Sequence, residues 1–403
     1  MNEQKKSGAK TGESTKIERL ENYLNKKYDL RINEITNELE GKLKKEKEFE
    51  QININDLHLE LMYAGFTRFK EELSTLFASS KLERFDPFLD YFQNLPKYDP
   101  DKDKDFIKEL SKFVETDDQE WFEVIFKKFL VQMVGQAIGE IPFNKHCLTF
   151  VGKQHDGKTT FLEWLVPQKL KQYIKKGFDF GGKKEAKFSL VQNFLINLDE
   201  LASFDRKELN NEFKSVLSES LVKFRPLYSN QETSFKRRAS FVASTNQYEF
   251  LTDETGNVRW LVFRINRINH DNGGEFGYQQ NIDLDKVWSQ AFYLLNSGFE
   301  YILNKEEVGK QEQKNRQYIK TTDEMEIIRK IFQPAEENSP QAEFMSTKQI
   351  TDIVEREGAI KTNRNFVGKA LRTEGYEISS KYNSEKGYSQ KGYYLIYNTF
   401  SNN

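Results

Sequence analysis

Apolar residues recur every three or four positions over residues 55–78 (Leu57, Leu61, Phe69, Leu73, Leu76), which predicts helical structure. Two more amphipathic helices are expected at 103–114 and 119–138. The second carries Phe122, Ile125, Phe126, Phe129, Leu130 and Met133 on one face. Such an aromatic stripe reads as a packed core rather than a ligand box. Upstream, residues 28–40 alternate apolar and polar as a strand pair does, with Asn37 near the turn. Residues 42–48 mix Lys and Glu and read as a solvated loop. Residues 1–27 are polar and charge-rich and read as a tail, disordered as far as residue 16.

The pattern then changes. Short apolar runs at 148–151, 191–198, 239–244 and 261–265 alternate with helical stretches, as buried parallel strands do in an α/β fold. A helix over 285–303 would bury Val287, Trp288, Ala291, Leu294 and Leu295. Residues 333–341, with two prolines, read as a linker. Beyond it, helices at 346–357 and 363–373 and strands at 376–382 and 388–397 follow the plan of a winged helix. The expected organisation is a mostly helical N-terminal domain (28–140), an α/β core (141–332), and a small winged-helix-like domain (342–403).

The first apolar run stops at Gly152, and Gly157-Lys158-Thr159-Thr160 opens the next helix. G-x-x-x-x-G-K-[ST] between strand and helix is the setting of a phosphate-binding loop. Gly152 and Gly157 let backbone N–H groups close around phosphate. Lys158 reaches the β/γ oxygens, and the Thr159 hydroxyl is placed for Mg²⁺. Asp156, just before Gly157, brings an acidic group close to that site and is expected to point outward.

Three later segments fit the same chemistry. The run at 191–198 delivers Asp199-Glu200 at its C-terminal end, where ligands sit in doubly wound sheets. Asp199 is placed to hold Mg²⁺, and Glu200 to orient or deprotonate water. The strand at 239–244 ends in Thr245-Asn246, an amide able to sense the γ-phosphate. Arg259, at the entry of the following strand, suits an arginine finger offered to a neighbouring subunit. Between them, residues 223–228 and 234–238 frame a turn and read as a hairpin rich in cations and rings. Arg225, Tyr228, Lys236, Arg237 and Arg238 would meet a single strand there, phosphates on the cations and bases on the rings. A solvated cationic ribbon is the alternative.

Charge narrows the partners. Lys and Arg number 61 against 63 Asp and Glu, a net charge of −2, so any nucleic-acid surface must be a local patch. From residue 341 onward there are nine cations against seven acids, which leaves DNA or a protein as equally fitting partners for the tail. A single cysteine, Cys147, excludes a disulfide framework and a cysteine-based zinc site. The four histidines form no ligand spacing. No apolar signal or membrane-spanning stretch is expected, so the reading is cytoplasmic.

Residues 198–264 resemble the virulence-associated E family of mobile-element proteins, related to superfamily 3 helicases of the AAA+ class. The resemblance rests on Asp199-Glu200-Leu201, Phe224-Arg225-Pro226 with Tyr228, Arg237 through Asn246, Phe250-Leu251-Thr252-Asp253, and Thr255 through Trp260. It implies a P-loop AAA+-like ATPase using ATP and Mg²⁺, acting as a homo-oligomeric, hexameric ring. That ring would translocate on single-stranded or forked DNA in replication of a mobile element, with a primase or initiator as a possible partner. It assigns Lys158 and Thr159 to nucleotide and metal, Asp199 and Glu200 to metal and water, Asn246 to sensing, and Arg259 to the finger. Two departures stand out: His155-Asp156 where a glycine is common nearby, and Val258 where many members carry another Arg, which leaves Arg259 as the sole finger at that site, with Arg264 as a rival. A nucleotide-switched regulatory or defence NTPase without unwinding is the alternative.

Overall fold

The computed structural model of the protein describes residues 14–180, 184–199, 207–225, 232–252, 257–271, 274–383 and 387–398. Its centre is a six-stranded sheet. The strand order is Val114–Thr116, Trp260–Ile268, Cys147–Val151, Ser240–Thr245, Leu195–Asp199, Ile174–Lys176. All neighbours are parallel except the first pair. Cys147–Val151 is buried at all five positions, because both sheet faces are covered. Leu148 and Phe150 face one apolar cluster, with Phe161 and the helix Gln119–Ile138; Cys147 and Val151 face another, with Phe213 and Trp260. The result is a three-layer α/β core.

The 20-residue helix Gln119–Ile138 is buried on nearly every side, beyond the single stripe expected. Its interior polar side chains are paired, as burial demands. Lys128 meets Glu307 at 2.7 Å, and Gln132 Nε2 donates to Tyr301 O at 2.6 Å. Because it packs in the same cluster as the Cys147–Val151 strand, this helix belongs with the core rather than with a separate N-terminal domain.

Other boundaries also move. Lys16–Lys27, expected within a tail, is a helix with a Thr15/Glu18 capping box, and it buries Leu20 and Leu24. Burying those two leucines against Leu57, Leu73 and Phe77 is what holds an otherwise charged segment in place. Residues 1–13 of the expected tail lie outside the described residues. The N-terminal region carries a small sheet as well as helices. It has a four-stranded sheet of Glu50–Gln51, Leu39–Leu43, Tyr28–Asn33 and Glu83–Phe85, with helices Ile54–Tyr63 and Lys70–Ala78. The strand pair read at 28–40 is present, and Asn37 (φ 59°) sits in its turn.

At the other end, the small unit starts before the expected linker. Asp323–Ile331 packs Met325, Ile328 and Ile331 against Ile350, Val367 and Leu371, and Phe332–Pro334 pairs with Tyr388–Tyr397. Gln333 and Pro334 are therefore strand, not linker. The unit also contains helices Thr347–Gly358 and Arg364–Thr373 and the hairpin Ser379–Asn383/Tyr388–Tyr397.

His146, at the foot of the Cys147–Val151 strand, is 2% exposed. Its Nδ1 lies 2.8 Å from Gln132 Oε1, and Nε2 is buried without a partner. Burial, reinforced by the nearby Lys145 and Arg259 charges, pushes its pKa from 6.5 down to about 3. Between those values the unfolded chain binds a proton that the folded chain does not. This contribution to stability is therefore full above pH 6.5 and is lost as pH falls toward 3. The urea midpoint of the wild type should fall more steeply than that of His146→Phe between pH 6.5 and about pH 4, by up to about 1.4 kcal/mol per pH unit. Equal slopes would show that the imidazole is not held neutral.

Candidate functional site

Strand register brings the candidates to one edge. Ser244 pairs with Asp199 and Thr245 with Val151, so three strands end together where the Gly152–Thr159 loop begins. Gly152 N donates to Thr245 O at 3.2 Å, which carries the loop off the sheet. A Cβ on Gly152 would lie 3.0 Å from Ile265 O and 3.1 Å from Asp156 Oδ2, too close for any other residue without a shift. Gly157 has φ 74° and lies under the His270 ring, whose Nε2 would be 2.9 Å from an added Cβ. His155 also takes a left-handed φ of 68°, a strained conformation of the kind that concentrates at functional loops.

Lys158 is 7% exposed and folded back onto the loop. Its Nζ donates to Gly152 O at 3.1 Å and Lys153 O at 2.5 Å. Burial lowers its pKa, while Asp156 and Asp199 pull the other way. Thr159 Oγ1 donates to Asp199 Oδ1 at 3.1 Å and lies 2.9 Å from Ser244 Oγ. Ser244 Oγ in turn donates to the same carboxylate oxygen at 3.1 Å. Two hydroxyls and a carboxylate thus converge beside the lysine. Such hard oxygen donors fit Mg²⁺, which prefers one or two protein ligands and otherwise keeps water and phosphate.

Asn246 is exposed at the same edge, just past Thr245, and Thr160 is exposed on the Lys158–Trp164 helix. Glu200 and Tyr228 lie outside the described residues. Ser244 and His270 were missed in the sequence. Ser244 looked like an ordinary strand residue, and His270 reaches the loop only because Trp260–Ile268 lies beside Cys147–Val151. Arg259 lies at the opposite edge. Trp260 pairs with Cys147, so Arg259 sits level with His146, roughly 16 Å from the level of Val151 at about 3.3 Å per residue. It is half-buried, with Nε unpartnered. Arg264, by contrast, pairs with Val151 beside its own loop and lies over the Tyr248 ring at 5.3 Å.

The expected cationic hairpin exists as Leu221–Phe224 paired with Thr233–Lys236, with Phe224 stacked on Phe235 at 4.2 Å. Its cations do something else. Arg237 is 1% exposed and donates to Val216 O at 2.9 Å, to Leu217 O at 2.8 Å, and to Asn144 O. Val216 and Leu217 end the helix Lys207–Leu217, whose last carbonyls have no partner within the helix. Arg238 donates to Ala137 O at 2.7 Å and pairs with Asp86 at 2.9 Å. Lys236 Nζ donates to Gly139 O at 2.8 Å. These three cations close helix C-termini. Arg237 is thus interior and Arg238 half-buried and paired with Asp86, so neither presents the free guanidinium that the expected phosphate contact needs. Lys236 and Arg225 are exposed.

Arg237→Ala should lower folding stability by about 3–5 kcal/mol, read as a shift in urea midpoint, because the buried Leu217 and Asn144 carbonyls lose the guanidinium that donates to them. Retained stability would return Arg237 to a surface role. For a loop that takes a magnesium–nucleotide, Ser244→Ala should weaken magnesium-dependent binding of a fluorescent ATP analogue about ten- to a hundred-fold, as loss of a carboxylate's supporting hydrogen bond does. Unchanged binding would leave Ser244 without a part in the site.

Comparisons with known proteins place the chain. The apo C-terminal region of NrS-1 (305–718) aligns with a TM-score of 0.50 and 12% identity, covering 96% of this chain and 99% of that one. SCCmec type IV Cch, an active helicase, aligns with a TM-score of 0.33 and 12% identity over 92% of this chain and 93% of that one. The JCV helicase aligns with a TM-score of 0.28 and 12% identity over 68% and 76%. No curated protein matches. At such identity the NrS-1 alignment bears on the fold alone. A profile of the virulence-associated protein E-like domain matches residues 94–320. That stretch is more than half of the chain and includes the Gly152–Thr159 loop and the strands beside it, so the protein belongs to the virulence-associated protein E-like family.

Proposed function

We propose that the protein is an ATP-hydrolysing motor of the helicase type, working as a homo-oligomeric ring, with six subunits as the expected number, on single-stranded or forked DNA. The carrying observation is the Thr159–Asp199–Ser244 cluster beside Lys158, at the C-terminal ends of three parallel strands. The strand order supports an AAA+-like core, because Ser240–Thr245 separates the phosphate-loop strand from the acidic strand. The helices and hairpin of the C-terminal unit support a winged-helix reading of it.

Thr159 and Asp199 would hold Mg²⁺, which when bound neutralises phosphate charge. Lys158 would exchange the carbonyls of Gly152 and Lys153 for the β/γ oxygens, a move that gives the triphosphate a charge partner already close by. Asn246 sits where it can respond to the γ-phosphate. Glu200 follows Asp199 directly in the chain and keeps its assignment as the group that orients water. Arg259 cannot serve its own loop from the far edge of the sheet, which favours action on a neighbouring subunit. Replication of a mobile element, a primase or initiator partner, and a cytoplasmic setting complete the reading. Among the described residues no helix is long and apolar enough to cross a membrane.

A nucleotide-switched NTPase that never unwinds DNA is the second reading. It is favoured by the internal placement of Arg237 and Arg238, which removes two contacts expected to track a strand. Stimulation of ATP turnover by single-stranded DNA supports the motor, and its absence supports the switch.

Lys158→Ala and Arg259→Ala should each be inactive alone, yet an equimolar mixture should recover ATP turnover. In a closed ring about a quarter of interfaces then combine an intact Lys158 with an intact neighbouring Arg259. Failure to recover any activity would sink the shared-site arrangement.

A further inference from the structure

From residue 341 onward the chain carries nine Lys and Arg against seven Asp and Glu, close to balance. Folding separates them. A cleft of about 1380 Å³ lies between the helices Thr347–Gly358 and Arg364–Thr373 and the hairpin, and it is lined by Lys348, Arg364, Arg372, Lys381 and Lys391, with Asp352 as the one carboxylate among the described residues. Five of the eight described cations therefore converge on one concavity, and of the six described acids Asp352 alone lines it.

The same cleft carries exposed rings. Tyr382 is 65% exposed and Tyr388 56%, both on the hairpin, and Ile378 beside them is 53% exposed. Lys381 Nζ stands 5.9 Å from the Phe344 ring, so cation and ring are already side by side. The apolar core of this unit is complete without these tyrosines, since it closes around Ile350, Val354, Val367, Leu371 and Leu395. Their rings add nothing to folding that burial would reward.

We infer that this cleft is a binding site for single-stranded nucleic acid, its backbone phosphates on the cations and its unstacked bases on Tyr382 and Tyr388. A paired duplex keeps its base faces covered and could use the cations only, whereas rings interleaved with cations match a single strand. An acidic peptide would also use the cations without needing the rings. The site is separate from the phosphate loop and does not rest on ATP turnover, so it is tested in the Lys158→Ala background without nucleotide.

Binding of a fluorescent oligo(dT) of about 20 nucleotides to the full chain is followed by anisotropy at several salt concentrations. Lys348→Glu with Lys391→Glu should weaken binding about ten-fold or more and reduce the log–log salt slope by about 1.4, the value for two lost phosphate contacts on a single strand. Tyr382→Ala with Tyr388→Ala should weaken binding about ten-fold with the salt slope unchanged. A duplex of the same length should compete less well. All four side chains are exposed, and melting temperature checks that the variants fold; the milder Lys348→Ala with Lys391→Ala replaces the charge reversal if it does not. Wild-type affinity in the charge variants would overturn the site. Tyrosine variants that bind as the wild type, or preference for duplex, would overturn the single-strand assignment.

Discussion

Parallel pairing in register is the constraint on which the rest of the structure depends. Cys147–Val151 is hydrogen-bonded on both sides and buried on both faces, so it cannot slide relative to its neighbours without exposing a full set of apolar side chains. That locked register puts the loop after Val151, the Asp199 carboxylate and the Ser244 hydroxyl at one edge. It puts Arg259 at the other. The division of labour between edges follows from strand direction rather than from any contact among the site residues.

The dehydrated ends of helices impose a second constraint. A helix that stops inside the protein leaves carbonyls that need donors, and here cations supply them. Arg237 serves the end of Lys207–Leu217, and Arg238 serves the end of Gln119–Ile138. Arg238 is also tied to Asp86, which links the phosphate-loop core to the segment that precedes it. A run of cations beside aromatic residues thus has two physical explanations, contact with a polyanion or closure of helix ends. Burial decides between them, and burial is a tertiary property.

The C-terminal unit is the reverse case. Its near-neutral charge made a polyanion partner look unremarkable, yet the fold gathers cations and rings into one concavity. Net charge describes attraction at a distance; a strand of phosphates responds to the local field within about a Debye length. Exposed cations and rings thus lie together on the hairpin of the terminal unit, whereas beside the core Arg237 and Arg238 are held by carbonyls and Asp86.

Much was legible in the sequence itself. Apolar runs with turn signals marked the central strands, and helical spacing marked the long buried helix, because those periods follow from backbone geometry alone. The Gly152–Thr159 loop and Asp199 stand out in the sequence because their residue types are unusual for their places, and each lies at a strand end that the pattern already shows. Ser244, His270 and the far-edge position of Arg259 were not legible, since each depends on which strand lies beside which, and strand order leaves no mark in local periodicity. The helix at residues 16–27 was hidden for a related reason: two buried leucines among charges become informative only when the surface that covers them is known. Sequence alone determined the central strands, the long buried helix and the residue types of the Gly152–Thr159 loop, because each is set within a short stretch of chain. Only the tertiary structure decided which cations are interior and which face solvent, because that outcome belongs to the packing of distant segments.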